Sequence, residues 1–205
     1  MNEENKIYCL DTISDEELAL RAGTGSRPCF EELVSRYSSR LFYFIRKRIA
    51  TDEDAEDIVQ ETFLKVFRAI DRYEPKAKFS TWLYTAAYRQ AISHYRASAV
   101  RKQKILPEKC DSGPEEAYQK KQESQHLWEQ AEKLKSDQYQ VLWLKYAEDL
   151  SIKDISRVLR KKPVTVRVLL HRARLELARL LDIEDPFNKN ETREAAEPPL
   201  FVERI

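Results

Sequence analysis

The sequence predicts an all-α protein of two small helical domains joined by a flexible linker, with a helix-turn-helix as the C-terminal domain. Apolar residues recur at intervals of three and four, without the sustained period-two alternation that is typical of strands. Charged residues make up 35% of the chain, and only 3 of its 205 residues are glycine. This composition favours long helices, and the length suits two domains of about 80 residues each.

Four helices are predicted in the first domain, residues 14–97. Ser14 and Glu17 form an S-x-x-E capping box at the start of the first helix, and Gly23 and Gly25 close it. Capping residues and proline place the next three starts at Ser26 to Pro28, at Thr51 to Asp54, and near Ser80 and Thr81. The fourth helix is expected to end at about Ala97.

The apolar stripe of each helix predicts the face that it buries. In the second helix the stripe runs from Phe30 to Ile45, and in the third it includes Ile58, Phe63 and Phe67. In the fourth helix, the phase of 100° per residue groups the tyrosines on one stripe, which is predicted to face the core: Tyr84, Tyr88 and Tyr95.

A segment with little apolar periodicity separates the two domains. Residues 98–114 contain two prolines and a glycine, so they are predicted to form the flexible linker. The second domain, 115–182, is expected to hold helices over 115–134 and 137–147, one opened by the capping pair Ser151 and Asp154, and one from Pro163 to about Leu181. The tails lie outside both domains: 1–13, and the charged, proline-bearing 183–205, predicted to be mostly disordered.

Nothing in the sequence suggests a catalytic, metal or cofactor site. Cys9, Cys29 and Cys110 form no CxxC pair, the histidines lie in separate helical contexts, and no glycine-rich phosphate loop is present. The N-terminus has no signal pattern, and no apolar run approaches the roughly 20 residues that span a bilayer. We therefore expect a cytoplasmic protein that is not an enzyme, uses no cofactor and has no membrane partner.

Charges are segregated along the chain, although Lys+Arg (36) and Asp+Glu (35) nearly cancel. From Pro75 to Pro107 there is no acidic residue, and basic residues are interleaved with aromatic ones. This mixture can track phosphates and stack on unpaired bases. Helix phase places four side chains opposite the tyrosine stripe: Trp82, Arg89, Ser93 and Arg96. For Trp82, core packing and nucleic-acid contact are about equally supported.

A second basic block spans Ile155 to Leu181, where Glu176 is the single acidic residue. A short capped helix, a tight RKKP turn and a longer basic helix have the proportions of a DNA-reading helix-turn-helix. With Val166 facing the core, Thr165, Val168 and Arg172 point outward, and Arg167 and His171 lie on the flank. These side chains are predicted to reach base edges or phosphates.

The start of the third helix is crowded with acidic residues. The helix dipole stabilises acids there by a few tenths of a kcal/mol each, which is the simplest explanation for one or two of them. Such a surface repels DNA, so the larger number favours a contact with a basic protein partner. The acidic residues are Asp52, Glu53, Asp54, Glu56, Asp57 and Glu61.

Several segments closely resemble the extracytoplasmic-function subfamily of bacterial sigma factors. They are EDAEDIVQETFLKVFRAIDRY, FSTWLY, LSIKDISRVL and TVRVLLHRARLEL, which occur in family order and at family spacing on both sides of the linker. The resemblance covers about residues 14 to 182. It implies an alternative sigma factor that binds core RNA polymerase, directs it to specific promoters and assists strand opening, with regions 2 and 4 as its two domains.

The resemblance also assigns residues to partners. It implies that the third helix docks on the clamp coiled coil of the largest polymerase subunit through Asp57, Gln60, Glu61 and Phe63. The melted minus ten element would be held by Lys76, Lys78, Phe79, Trp82, Arg89, Ser93 and Arg96. The duplex minus thirty-five element would be read by Lys162, Thr165, Arg167, Val168, His171 and Arg172. An anti-sigma factor is a further partner that the family allows.

The chain departs from the family pattern at positions that read DNA. Arg89 and Ser93 stand where Asn and Asp are usual, and Arg160 replaces the usual Gly of the helix-turn-helix. Val168 and Leu169 replace the more frequent Ser-Arg pair. The promoter sequence is therefore not predicted.

Two other functions compete with the sigma-factor interpretation. A stand-alone helix-turn-helix regulator would bind duplex DNA as a dimer, but it needs neither the acidic helix nor the aromatic basic loop. A scaffold or anti-sigma-like protein that binds only proteins leaves the two basic blocks unexplained.

Overall fold

The computed structural model of the chain describes residues 10–102 and 122–181. Every regular element within them is helical, which confirms the predicted all-α class. The chain divides into two compact units, each described here by itself. The C-terminal tail, most of the predicted linker and most of the N-terminal tail lie outside the described residues.

Within residues 10–102 the first unit contains four helices, and three of them begin directly after a predicted start residue: Ser14, Ser26 or Thr51. The fourth begins at Phe79, one residue before its predicted start near Ser80 and Thr81. Ser14 Oγ accepts a hydrogen bond from the Glu17 N–H at 3.3 Å, and Thr51 Oγ1 accepts one from the Asp54 N–H at 3.2 Å. These bonds satisfy backbone donors that the first helical turn leaves free. The helices are α1 (Asp15–Gly23), α2 (Arg27–Arg46), α3 (Asp52–Ala69, followed by a 3-10 turn at Ile70–Arg72) and α4 (Phe79–Lys102).

Helix α4 extends five residues beyond the predicted end at Ala97, as far as Lys102. The apolar stripe of this helix stops near Ala97, which suggested that the helix ends at that residue. However, residues 98–102 contain no proline or glycine. Alanine, arginine and lysine are good helix formers, so the helix continues past the predicted end. The first five residues assigned to the linker are therefore helical.

The core of the first unit is built from the predicted stripes and joined by aromatic contacts. Phe44 meets Tyr84 edge to face with ring centroids 4.9 Å apart, and both rings are fully buried. Two aromatic side chains predicted as core are instead exposed: Phe67 by 51% and Tyr95 by 56%. Phe67 lies at the edge of its stripe, where Phe30 covers one side of the ring at 4.9 Å.

Tyr95 is exposed because the bundle ends before it. His94 of α4 pairs with Asp54 in the first turn of α3, at 3.4 Å between Nε2 and Oδ1. Farther along, Gln90 donates a hydrogen bond to Glu61. The two helices therefore run antiparallel, and the residues after His94 pass beyond the start of α3.

The second unit packs around an aromatic cluster. The ring of Trp143 lies 4.9 Å from that of Trp128 and 5.8 Å from that of Tyr139. Ser151 Oγ accepts a hydrogen bond from the Asp154 N–H at 3.1 Å, as its capping pattern predicts. The helices are α5 (Gln122–Ala131), α6 (Ser136–Leu142, followed by a π turn at Trp143–Ala147), α7 (Ile152–Leu159) and α8 (Pro163–Leu180).

Candidate nucleic-acid and protein interfaces

The outer face of α3 carries the predicted protein-binding residues. Asp57, Gln60 and Glu61 are exposed, together with the neighbouring acids Glu53 and Glu56. The acidic character expected from the sequence is thus on the surface of the unit.

Phe63 differs from its assignment to this surface. It is only 8% exposed, and its ring meets the buried Phe30 at 6.4 Å. The predicted apolar stripe explains this position, because Phe63 lies in phase with Ile58, Val59 and Val66. Phe63 therefore supports α3 from the core and does not line its outer face.

Two apolar side chains on α3 are exposed: Leu64, which no sequence pattern selected, and Phe67, which was predicted to lie in the core. Leu64 is 55% exposed and Phe67 is 51% exposed. Helical spacing places Leu64 in line with Asp57 and Glu61, and Phe67 beside Gln60. Leu64 had a detectable signal, because it is an apolar residue on the polar side of the stripe. We call Asp57, Gln60, Glu61, Leu64 and Phe67 the α3 surface.

An aromatic cluster stands at the start of α4. The buried ring of Phe79 lies 5.7 Å from Tyr73 and 5.7 Å from Tyr37. Trp82, which is partly exposed, packs on the outside of this cluster, 5.5 Å from Tyr73 and 6.0 Å from Phe79. One side of the indole therefore packs on the core and the rest is accessible, so core packing is met in part and nucleic-acid contact stays a prediction.

Phe79 has no exposed surface, in contrast to its assignment to the DNA-binding set. As the first residue of α4, it begins the helix inside the core. Its backbone N–H donates to Glu16 Oε1 of α1 at 3.0 Å, so a carboxylate caps this helix start. Phe79 therefore holds Trp82 in place from beneath.

The loop before α4 is tied back on itself. The Tyr73 hydroxyl donates a hydrogen bond to the Ala77 carbonyl at 3.0 Å. Burial, as the largest cause, and the negative charges of Glu16 and Asp15 together raise the pKa of Tyr73 to about 12. The neutral phenol is thus the form that the fold favours.

The basic side chains predicted for this region are all on the surface: Lys76, Lys78, Arg89 and Arg96, together with Ser93. Arg89, Ser93 and Arg96 follow Trp82 along one side of α4, as helix phase predicted. Lys76 is paired with Glu74, and this hydrogen bond lowers the pKa of Glu74 and raises that of Lys76. The positive charge of the loop is thus partly offset, whereas no ion pair with Arg89 or Arg96 occurs among the described residues.

Helix α8 displays the second predicted set. Val166, Leu170 and Ala173 are buried, so the predicted phase of this helix is confirmed. Val164 is also exposed, by 66%, and sequence analysis did not select it. The exposed residues that we call the α8 surface are Lys162, Thr165, Arg167, Val168, His171 and Arg172.

The turn between α7 and α8 has a left-handed residue at its centre. Arg160 adopts φ 52° and ψ 40°, and the Lys161 N–H donates to the Ser156 carbonyl at 3.1 Å. The Lys161 ammonium group binds Asp137 of α6 at 2.8 Å. Lys161 therefore anchors the turn to its own unit, while Arg160 and Lys162 are exposed.

Residues 10–102 and 122–181 contain no group of three or more His, Cys, Asp or Glu side chains placed to hold a metal ion. None of the helices in those ranges is both long enough and apolar enough to span a bilayer.

Comparison with protein families matches both units. The model for Sigma-70 region 2 matches residues 33–101, and the model for Sigma-70 region 4 matches residues 124–177. The first match contains the α3 surface and the aromatic cluster, and the second contains the α8 surface.

Individual proteins agree with the family matches. The RNA polymerase sigma factor CarQ of Myxococcus xanthus is 30% identical over 163 residues, which are 77% of this chain and 91% of CarQ. The ECF RNA polymerase sigma factor BldN of Streptomyces coelicolor is 29% identical over 171 residues, 80% of this chain and 65% of BldN.

A solved structure shares the fold. It is the sigma factor RpoE of Bartonella quintana in complex with the anti-sigma factor NepR, with a TM-score of 0.62 and 23% identity over 76% of this chain and 98% of that one. Together with the matches to regions 2 and 4, these relatives show that the chain belongs to the extracytoplasmic-function (ECF) sigma factors, which direct bacterial RNA polymerase to promoters.

Proposed function

We propose that three surfaces of this sigma factor bind three different partners or promoter elements during transcription initiation. The α3 surface binds the clamp coiled coil of the largest polymerase subunit. The outer side of α4, with the loop before it, holds the melted minus ten strand. The α8 surface reads the duplex minus thirty-five element. The chain itself catalyses no reaction, and it acts in the cytoplasm, where it meets polymerase and promoter.

The α3 surface has the chemistry of a protein interface. Asp57 and Glu61 are exposed acids that favour a basic partner and repel DNA. Leu64 and Phe67 add apolar area, whose burial contributes about 1.5–3 kcal/mol per side chain. An apolar centre with charged neighbours is the usual arrangement at a specific contact between proteins.

The minus ten surface suits an unstacked strand. Trp82 offers an aromatic ring whose position is held by Tyr73 and Phe79, so little conformational entropy is lost when a base stacks on it. Stacking on an aromatic side chain contributes about 1–3 kcal/mol per base, which offsets the few kcal/mol that flipping costs. Arg89 and Arg96 lie on the same side of α4 and supply positive charge for phosphates.

The minus thirty-five surface suits the major groove. Thr165 and Val168 lie on the exposed side of α8 near its N-terminal end, which is the part of a recognition helix that contacts base edges, and Arg172 follows on the same side at the middle of the helix. Arg172 can donate two hydrogen bonds to a guanine, and Val168 can contact a thymine methyl group. Lys162, at the helix start, is placed for a phosphate.

An anti-sigma factor is a further proposed partner. The sigma factor RpoE of Bartonella quintana forms a complex with the anti-sigma factor NepR, and this chain has a similar fold. Leu64 and Phe67 provide an accessible apolar contact that such a partner would cover in competition with polymerase.

The observation that carries the proposal is the partly exposed Trp82, which packs on a buried aromatic cluster next to the basic side of α4. Run-off transcription with core polymerase and a library of promoter-like DNA tests it. We expect new start sites that share two upstream motifs and depend on the protein. Absence of starts, with the protein alone retarding duplex DNA, would instead identify a stand-alone regulator.

A further inference from the structure

Arg160 occupies a backbone conformation that disfavours its own side chain. Its φ of 52° and ψ of 40° lie in the left-handed helical region, where the β-carbon of an L-residue crowds the following carbonyl oxygen. Glycine is the residue that adopts this conformation without steric cost, and it is the commonest choice after a helix end. Arginine is thus a poor choice for the backbone at this position.

The turn itself requires the left-handed residue. The backbone N–H groups of Arg160 and Lys161 both donate to the Ser156 carbonyl, which closes the end of α7. Pro163 then begins α8 only three residues after Arg160. This short connection fits only if one residue reverses the chain, so the conformation belongs to the turn and not to arginine.

The side chain of Arg160 contributes little to the fold around it. It is exposed, and no hydrogen bond or ion pair to it occurs within the described residues. The adjacent Lys161 shows the contrast, because its ammonium group is bound to Asp137 at 2.8 Å. Packing and ion pairing therefore do not explain an arginine at this strained position.

The position of Arg160 gives its guanidinium group access to DNA. In a helix-turn-helix the N-terminal part of the second helix lies in the major groove, so the turn before it is next to a sugar-phosphate strand. Arg160 lies in that turn, two residues before the exposed Lys162 at the start of α8. Guanidinium groups bind phosphate through paired hydrogen bonds.

We propose that Arg160 binds a phosphate of the duplex beside the groove that α8 enters, and that the turn tolerates backbone strain to present this side chain. The inference rests on the proposed minus thirty-five role of α8. A phosphate contact strengthens binding to any sequence and adds no base discrimination.

Replacement of Arg160 by glycine should raise the stability of the protein and weaken its binding to DNA. For Arg160→Gly in the full chain, we expect Tm to rise by about 3 °C, because the left-handed strain is relieved. Binding of the holoenzyme to minus thirty-five duplex should weaken about three- to tenfold on matched and mismatched sequences alike. The slope of log K against log salt should become shallower by about 0.9, the amount for one phosphate. Calorimetry and fluorescence anisotropy at several salt concentrations measure these changes.

Two variants serve as controls. Arg160→Lys keeps the charge and the strain, so it should retain most of the salt slope and the original Tm. Arg179→Ala removes one exposed positive charge about 24 Å along α8 from Pro163, and it should leave the slope unchanged.

The proposal fails if Arg160→Gly keeps the wild-type salt slope, or if it lowers Tm. Equal slope losses in Arg160→Gly and Arg179→Ala would also overturn it, because the effect would then be net charge alone. If the wild-type holoenzyme shows no preference for any upstream duplex motif, the proposed role of α8 fails instead. The wild-type protein alone reveals that outcome, so failure of the α8 role is distinguishable from failure of the Arg160 proposal.

Discussion

Trp82 shows how one side chain can pack on the core and still leave part of its ring accessible. Its inner side packs on Tyr73 and Phe79, so contacts within the protein set its orientation. Its outer side is accessible and lies in line with Arg89 and Ser93. An aromatic residue that was equally consistent with core and surface in the sequence thus lies at the boundary between them.

Trp82→Ala should impair strand opening and spare binding to core polymerase. Loss of stacking removes about 1–3 kcal/mol, so the open fraction of promoter should fall about fivefold or more. Permanganate reactivity of unpaired thymines reports opening, and a binding assay with core polymerase reports holoenzyme formation. Trp82→Phe, which keeps an aromatic ring, is the matched control, and wild-type opening by Trp82→Ala would assign the side chain to the core.

Tyr73 makes the stability of the first unit sensitive to alkaline pH. Its pKa in the folded protein is about 12, above the value near 10 of an exposed tyrosine. A raised folded pKa means that the stabilisation is complete below pH 10 and is lost as pH rises from about 10 to about 12. Urea unfolding at pH 9 and pH 11 should therefore show a larger loss for the wild type than for Tyr73→Phe. Equal losses would contradict the assignment.

At the scale of elements, α4 depends on a residue from α1. Glu16 accepts the backbone N–H of Phe79, so the first turn of α4 is capped by a side chain distant in sequence. This contact connects the start of α4 to a helix near the beginning of the chain. The sequence has no local signal for it, because the acceptor lies 63 residues away.

Glu16→Ala should weaken promoter opening by disordering the first turn of α4 beneath Trp82. The loss of a helix cap costs about 1 kcal/mol, equivalent to about a fivefold change in the opening equilibrium. Glu16→Gln retains an acceptor oxygen and should recover most of the activity. Fluorescence of 2-aminopurine in the minus ten strand measures opening. If Glu16→Ala lowers Tm yet opens promoters as well as the wild type, the contact is structural only.

Local signals explain why the helix starts were predictable and why several side chains were not. Ser14, Thr51 and Ser151 cap helices through bonds within three residues, which a sequence pattern contains. The exposure of Tyr95 depends on where another helix begins, and that of Phe67 on the edge of a packed layer. The burial of Phe79 likewise depends on its neighbours Tyr37 and Tyr73. These are tertiary facts that helical phase alone does not determine.

In the whole molecule, the proposed polymerase contact and the proposed minus thirty-five contact lie on helices of different units. Loss of Leu64 removes apolar area from the α3 surface, whereas loss of Arg172 removes a donor from the α8 surface. Because the two changes lie in different units and act on different proposed partners, their effects should add.

Leu64→Ala should weaken binding to core polymerase about tenfold and leave the minus thirty-five preference of the holoenzyme unchanged. Arg172→Ala should leave binding to core polymerase unchanged. It should reduce the preference of the holoenzyme for the minus thirty-five sequence by about 1–3 kcal/mol. The double variant should show the sum within about 0.5 kcal/mol. Leu20→Ala, an exposed leucine on α1, is the matched control for apolar truncation. Strong non-additivity would show that the two units do not act independently.

The polar bridges between α3 and α4 have a mechanical consequence. Gln90 to Glu61 and His94 to Asp54 join the two antiparallel helices at two levels, which opposes sliding of one along the other. If α4 holds the melted strand as proposed, the two bridged helices fix the distance between that strand and the polymerase clamp. The elasticity of the DNA then does not set this distance. The upstream edge of the transcription bubble would accordingly keep a constant register to the enzyme at promoters of different sequence.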